Sequence, residues 1–335
     1  MTQLIHNITR YIAGSTARRV LAFAVIILLA TACEHKPLCW HHPHKSLLKV
    51  DFAWWDAPEG PDEVTSMALY IYPHDGSAPS RVEFPGSAGG FIELYTGDYD
   101  FVCLNANTET LLYNGTDAHG TFTVSTGDDY ILSGMNGRDG DFSDDDNDIK
   151  RAEGTYDERV SRQAEKAFGH GITDFNVHGD PGVTQVVTLY PNNLTIHYHI
   201  IIENIGCIET ISKISGTLSG LAGEVRVHDN NRVGSHNIVP FPLVPTADGT
   251  IEGQFVGFGH CPETQSKSHK LAVYAITTED DHRFFEWDVT EQVHEQDGEL
   301  YVTIVVTDLD LCGMRDMDLV VDPWIPTDPI VLPMP

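Results

Sequence analysis

The 335 residues carry 49 Asp and Glu against 20 Lys and Arg, a net charge of −29. Charged residues make up 21% and apolar residues 41%, which are the proportions of a globular chain and not of a disordered one. The excess of negative charge would repel phosphates, so we expect no nucleic-acid partner. A chain of this length predicts about two domains.

Residues 1–32 have the three parts of a secretory signal. Three arginines and no acidic residue give a basic start, an unbroken apolar run covers 20–30, and small residues precede Cys33. The apolar run is shorter than the ~20 residues of a membrane-spanning helix. We therefore predict a cleaved signal peptide, and its removal would leave 17 basic residues against 49 acidic ones.

The end of this signal, Leu29-Ala30-Thr31-Ala32-Cys33, resembles a bacterial lipobox. The resemblance implies cleavage before Cys33, a thioether lipid on its sulfur, and a further acyl chain such as palmitate on the new amine. Each buried CH₂ of such chains contributes roughly 0.8 kcal/mol, so two or three chains would hold the protein firmly. Residues 33–46 would then be a lipidated tether. An ordinary signal peptide with an incidental cysteine is the alternative.

Beyond Cys33 the sequence has five cysteines, an odd number, and none of them forms a CxxC pair. They are Cys39, Cys103, Cys207, Cys261 and Cys312. An exported protein can form disulfides, so a disulfide framework and buried free thiols both remain open.

The mature chain has the pattern of an all-β protein, with short apolar runs separated by turn residues. Leu48, Val50 and Phe52 alternate with Lys49 and Asp51, which predicts a half-buried strand. The first predicted β-sandwich covers residues 47–135. An acidic, glycine-bearing linker covers 136–182.

A second β-sandwich is predicted over residues 183–322. From Leu194 to Glu203 the apolar side chains fall on one face, and His197 and His199 fall on the other, as in a half-buried antiparallel strand. Residues 323–335 are rich in proline, which removes backbone donors and predicts an extended tail or an edge segment.

Many short motifs occur in a fixed order through the mature chain. They include Leu38-Cys39-Trp40-His41-His42-Pro43-His44, Leu69-Tyr70-Ile71-Tyr72-Pro73, Gly97-Asp98-Tyr99, Leu189-Tyr190-Pro191, and Asp288-Val289-Thr290-Glu291-Gln292-Val293. Their order resembles the order in Bacteroides-type lipoproteins of unknown function. These lipoproteins are related to FimB-like minor fimbrial anchor subunits, within the fimbrillin superfamily. The resemblance implies two tandem transthyretin-like, fimbrillin-type β-sandwiches behind a lipidated cysteine.

The same resemblance implies an outer-membrane protein that is anchored through Cys33, takes part in cell adhesion, and holds or assembles fimbrial subunits. The partner-binding residues are not identifiable from the sequence. We expect the protein to face the cell surface. The acidic stretch often linked with surface export is reduced here to Glu34, so a periplasmic orientation is the alternative.

The acidic linker offers oxygen ligands of the kind that calcium prefers, although the glutamate that closes an EF-hand loop is missing. The calcium candidates are Asp139, Asp141, Asp144, Asp146 and Asp148. A solvated acidic loop is the simpler interpretation.

Two groups of histidines are also candidate transition-metal ligands. The first group is His35, Cys39, His41, His42 and His44; the second is His197 and His199, about 7 Å apart on one strand face. We interpret the first as part of the tether and the second as a polar sheet face. No metal or other cofactor is therefore expected.

The sequence contains no GxSxG elbow, P-loop or dinucleotide fingerprint, and His294-Glu295 lacks the second histidine of a metalloprotease helix. We therefore expect a non-enzyme. A surface module that binds a glycan or a host ligand is the alternative, with Trp54, Trp55, Trp287 and Trp324 as possible stacking residues. A hydrolase built on paired carboxylates is the third hypothesis.

Overall fold

The computed structural model describes residues 44–135, 149–179, 183–261 and 268–312. Strands dominate these ranges, which confirms the predicted all-β class. The first ten are β1 (Lys45–Phe52), β2 (Ser66–Pro73), β3 (Ser80–Pro85), β4 (Gly89–Tyr95), β5 (Gly97–Asn105), β6 (Leu111–Asn114), β7 (Thr123–Thr126), β8 (Arg159–Val160), β9 (Phe168–Val177) and β10 (Gln185–Leu189). The others are β11 (Asn192–Asn193), β12 (Ile196–Gly206), β13 (Ile211–Arg226), β14 (Asn231–Pro242), β15 (Val244–Pro245), β16 (Ile251–Gly257), β17 (Lys270–Thr277), β18 (His282–Asp288) and β19 (Tyr301–Asp310). Two short helices in these ranges are α1 (Gly60–Glu63) and α2 (Thr290–Glu295), and 3-10 turns occur at His119–Thr121 and Ile208–Thr210.

The first sandwich packs a three-stranded sheet against a five-stranded one. Their strand orders are β10-β1-β4 and β11-β9-β5-β2-β3. In β1 the side chains of Leu48, Val50 and Phe52 are buried and those between them are more exposed, as the alternating sequence predicts. They pack on Leu69 of β2 and Phe101 of β5 in one apolar core.

The second sandwich packs a four-stranded sheet against a seven-stranded one. The four-stranded order is β15-β16-β12-β19, and the main path of the larger sheet is β18-β17-β13-β14-β8. In β12 the side chains of Tyr198, Ile200 and Ile202 are buried, which confirms the predicted apolar face. They share a core with Phe241 of β14 and Ile304 of β19. The tandem-sandwich prediction is thereby confirmed.

Strand pairing crosses the predicted domain boundaries and corrects them. β9, which falls inside the predicted 136–182 linker, pairs with β5 of the first sandwich, and β10 pairs with β1 although it follows the predicted boundary at 183. In the opposite direction, β7 pairs with β13 of the second sandwich. Because the predicted linker is rich in polar residues, the sequence did not indicate β9. The strand with which β9 pairs, β5, lies about 75 residues earlier in the sequence.

A third apolar core joins the two sandwiches. Tyr70 and Leu104, on the outer face of the five-stranded sheet, pack with Phe122, Val225 and Val227. The Tyr70 and Phe122 rings meet edge to face with centroids 4.6 Å apart. Because of this core and the shared strand β7, the described residues from Lys45 onward form one compact unit.

A disulfide joins Cys207 to Cys312, with Cα atoms 5.2 Å apart. The two cysteines follow the ends of β12 and β19, which run parallel and are paired from His197–Tyr301 to Gly206–Asp310. Cys103 and Cys261 are buried free thiols. The chain therefore contains both a disulfide and buried free thiols, which are the two alternatives that the sequence left open.

In the part of the chain that the structure describes, no helix has the length and apolarity to cross a bilayer. The predicted signal peptide (1–32), nearly all of the tether (33–46) and the proline-rich tail (323–335) lie outside the described residues.

Candidate functional site

The predicted lipidation site and calcium ligands also lie outside the described residues. They are Cys33, Asp139, Asp141, Asp144, Asp146 and Asp148. Lipidation and calcium binding at these positions stay predictions.

His197 and His199 have separate partners on the exposed face of β12. The His197 ring stacks on Tyr301 with centroids 5.0 Å apart, and His199 Nε2 lies 3.0 Å from Glu252 Oε2. Burial lowers the pKa of His197. Each imidazole thus interacts with a neighbouring strand, and among the described residues the two rings share no third ligand.

Trp54 and Trp55 lie in the irregular segment that follows β1, and their rings have different surroundings. Trp54 packs on Phe168 with ring centroids 5.6 Å apart and donates its indole N–H to the Ser87 carbonyl. Trp55 is 80% exposed and lies against Tyr190, with centroids 5.4 Å apart. Trp55 is therefore the tryptophan of this pair that is available to a partner.

A polar groove of about 490 Å³ begins beside this aromatic pair. Its lining includes Asp56, Asn192, Asn193, Arg232, Asp297 and Glu299. Arg232 is fixed by donating Nε–H to the Phe258 carbonyl and Nη1–H to the Asn230 carbonyl. Such a groove presents amides, carboxylates and a fixed cation, which suit a ligand rich in hydroxyl groups.

β19 is the edge strand of the four-stranded sheet, and two glutamine side chains cover its outer side. Gln292 donates Nε2–H to the Val305 carbonyl (3.0 Å) and accepts the Val305 N–H at Oε1 (2.9 Å). Gln296 forms the same pair of bonds with Thr303, at 2.8 and 2.9 Å. A neighbouring strand would offer the same donors and acceptors. This glutamine cover, Gln292 and Gln296, therefore occupies an edge at which another strand could add.

Local sequence places Gln292 in α2 and Gln296 at its C-terminal cap. Residues four apart share one face of a helix, so Gln292 and Gln296 both face β19. Val293 is buried and holds the helix against the core. At the helix start, Asp288 accepts hydrogen bonds from the Thr290 hydroxyl, the Lys270 ammonium and the Thr290 backbone N–H, and these bonds lower the pKa of Asp288 to about 2.

We expect the double variant Gln292→Ala/Gln296→Ala to self-associate and to lose about 2 kcal/mol of stability, because four hydrogen bonds to the β19 backbone disappear and the edge becomes available. Sedimentation velocity and thermal unfolding would measure both effects. Glu291→Ala/Glu295→Ala is the matched control, with the same spacing on the same helix. A glutamine variant that is as monomeric and as stable as this control would contradict the assignment.

Three histidines from distant segments meet at the other side of α2. The rings of His260, His269 and His294 lie 5.0–5.8 Å apart, centroid to centroid. Burial lowers the pKa of His269 to about 4, so this imidazole is neutral near pH 7. This histidine cluster (His260, His269 and His294) was missed by sequence reasoning, because its members are separated by intervals that match no short metal motif.

The sequence matches a known protein family. Residues 32–242 match the Domain of unknown function family DUF5119, which is well over half of the sequence. The chain belongs to the DUF5119 family. The resemblance to a family of unknown function is thus confirmed. No curated protein sequence matches the chain significantly.

The chain is similar to solved structures at low sequence identity, and the first two named here share the fold of this DUF5119 protein. A candidate adhesin from Bacteroides ovatus is 15% identical with a TM-score of 0.59, covering 83% of this chain and 97% of its own. A second candidate adhesin from Bacteroides ovatus is 9% identical with a TM-score of 0.50, covering 78% and 89% respectively. The fimbrial anchor protein Mfa2 from Porphyromonas gingivalis is 14% identical with a TM-score of 0.47, covering 78% and 91%.

The DUF5119 match contains Cys33 and the first sandwich and ends at the close of β14. The glutamine cover and the histidine cluster both lie after this segment. The two sites are therefore features of the C-terminal part of this chain, beyond the region that the match covers.

Proposed function

We propose that this protein is a lipid-anchored protein of the outer membrane that holds or assembles fimbrial subunits through protein–protein contacts. The observation that carries the proposal is the tandem-sandwich fold, shared over 97% of the length of a Bacteroides ovatus candidate adhesin. The order of fimbrial-anchor-like motifs in the sequence supports the anchoring role, and the lipobox at Cys33 supports the location. A non-catalytic role also fits a chain without recognisable enzyme motifs.

The anchor can be tested by metabolic labelling with a fatty-acid analogue. We expect the wild-type protein to be labelled and recovered with the outer membrane, and Cys33→Ala to lose the label and leave the membrane fraction. Cys39→Ala is the matched control, since Cys39 is the next cysteine in the sequence. A Cys33→Ala protein that still carries the label, or an unlabelled wild type, would refute lipidation at Cys33.

Strand addition is the proposed mode of contact. In this mode an extended segment of one subunit completes the sheet of another through backbone hydrogen bonds. The predicted extended tail, with Ile330-Val331-Leu332 as its apolar segment, is the proposed donor or self-filling strand. The glutamine cover on β19 would keep that edge closed to non-specific pairing until a partner is present.

Glycan binding is the second candidate function, favoured by the exposed Trp55–Tyr190 pair beside a polar groove. Aromatic rings provide stacking surfaces for apolar sugar faces, and the groove provides hydrogen-bonding groups for hydroxyls. A glycan array would detect such binding, and Trp55→Ala should abolish it. A wild type that binds no glycan on the array would remove this candidate.

A further inference from the structure

We propose that His260, His269 and His294 form a binding site for a divalent transition metal, with zinc as the first choice. Each histidine offers one ring nitrogen, and the three nitrogens lie within 4.8 Å of one another. Imidazole is a preferred zinc ligand, and bonds of about 2.0–2.1 Å place tetrahedral ligands roughly 3.4 Å apart. Small rotations of the rings would bring the three nitrogens from this spacing to the roughly 3.4 Å that a tetrahedral metal requires. The proposal does not depend on the function proposed above.

The orientation of His269 supports a metal ligand. Its Nδ1 lies 3.0 Å from the Ser219 carbonyl oxygen, which can only accept, so Nδ1 carries the ring proton. Nε2 therefore presents a lone pair. This nitrogen is fully buried and has no hydrogen-bond partner among the described residues. A backbone carbonyl on the far nitrogen is the usual support of a metal-bound histidine, and a metal would satisfy Nε2.

His260 is also oriented by a backbone carbonyl, but its other ring nitrogen has a carboxylate partner. Its Nδ1 lies 2.8 Å from the Cys261 carbonyl oxygen, and its Nε2 lies 3.0 Å from Asp297 Oδ1. With a metal bound, we expect Asp297 to be the fourth ligand, because its carboxylate provides the negative charge that three neutral imidazoles lack.

The backbone holds the cluster in place. The His269 N–H donates to the Thr290 hydroxyl (2.8 Å), and the Val289 N–H donates to the His269 carbonyl (2.9 Å), which ties His269 to the start of α2. Gly220 has φ +77°, and a Cβ built there would lie 2.8 Å from His269 Nδ1. The glycine therefore leaves the space that the imidazole ring fills.

Metal binding has a structural consequence for the glutamine cover. His294 lies on α2 between Gln292 and the C-cap residue Gln296, so a metal held by the histidine cluster would fix this helix. We therefore expect zinc to protect the backbone N–H groups of Thr303 and Val305 against hydrogen exchange, because the cover bonds both of them. Metal binding and closure of the β19 edge would be coupled.

The test uses full-length protein in detergent, freed of metal with a chelator and titrated with zinc chloride. We expect one zinc per chain, and a Tm that rises by roughly 5–10 °C at a free zinc concentration one hundred times the Kd. Cobalt(II) should give the visible absorption of a four-coordinate nitrogen and oxygen site. His35, His41, His42 and His44 are replaced by Gln in all proteins, so that zinc binding in the N-terminal segment does not contribute.

His260→Gln and His294→Gln should each reduce zinc affinity at least tenfold and remove the Tm shift, whereas His199→Gln, a histidine outside the cluster, should change neither. If His269→Gln does not fold, the other two variants carry the test. Absence of stoichiometric zinc binding by the parent protein would overturn the proposal. An unchanged zinc affinity in both His260→Gln and His294→Gln would overturn it equally.

Discussion

Replacing both Cys207 and Cys312 with serine is expected to lower the Tm by about 9–19 °C. The disulfide closes a loop of 105 residues, and loop closure of this length contributes roughly 4.7 kcal/mol by restricting the unfolded chain. For a protein of this size, each kcal/mol corresponds to about 2–4 °C. The bond also fastens the ends of β12 and β19, where the edge strand would otherwise begin to separate from its sheet.

Differential scanning calorimetry with and without dithiothreitol would measure this effect. The reductant should lower the Tm of the wild type to that of the double variant and leave the double variant unchanged. The single variants should resemble the double variant, since either substitution removes the bond. A wild type whose Tm is insensitive to reductant, while thiol titration shows that its disulfide has been reduced, would contradict the predicted contribution.

Gly171→Ala is expected to destabilise the protein by about 2–3 kcal/mol, because it overfills the contact between the two sandwiches. A Cβ at Gly171 would lie 2.3 Å from Cβ and 2.8 Å from Cα of His228. Backbone atoms cannot move aside as a flexible side chain can. Gly169, two residues earlier on the same face of β9, is equally enclosed, with Val227 Cγ1 2.6 Å from its Cβ position.

Gly127→Ala is the matched control, since a Cβ at Gly127 meets no atom within 4 Å. Denaturant unfolding of both variants and the wild type would give the free-energy differences. The control should stay within about 0.5 kcal/mol of the wild type. A Gly171→Ala protein as stable as the control would show that β9 does not approach His228 as closely as the structure indicates.

Local pattern was sufficient to predict strands such as β1 and β12 and their buried faces. The alternation in β1 and β12 follows from the two-residue period of a strand. These features depend on neighbours in the sequence. The same reasoning also identified the fold class, because alternation and turn residues recur through the whole mature chain.

Pairing between distant segments could not be read from local pattern. β9 lies in a polar region whose composition suggests a linker, and its membership of the first sandwich depends on β5, far back in the sequence. The histidine cluster likewise forms only when β17, α2 and the segment after β16 come together. Gln292 was recognised within a family-like motif, but its bonds to β19 become evident only when the edge strand is placed.

The central claim is that the protein acts by holding other subunits at the outer membrane. The most direct measurement is crosslinking in intact cells, followed by mass spectrometry of partners recovered with the tagged wild type and with a variant lacking residues 325–335. We predict that the wild type captures a fimbrial subunit and that the deletion variant, still folded, captures much less. Recovery of no subunit with the wild type, together with glycan binding that depends on Trp55, would contradict the claim and establish the alternative.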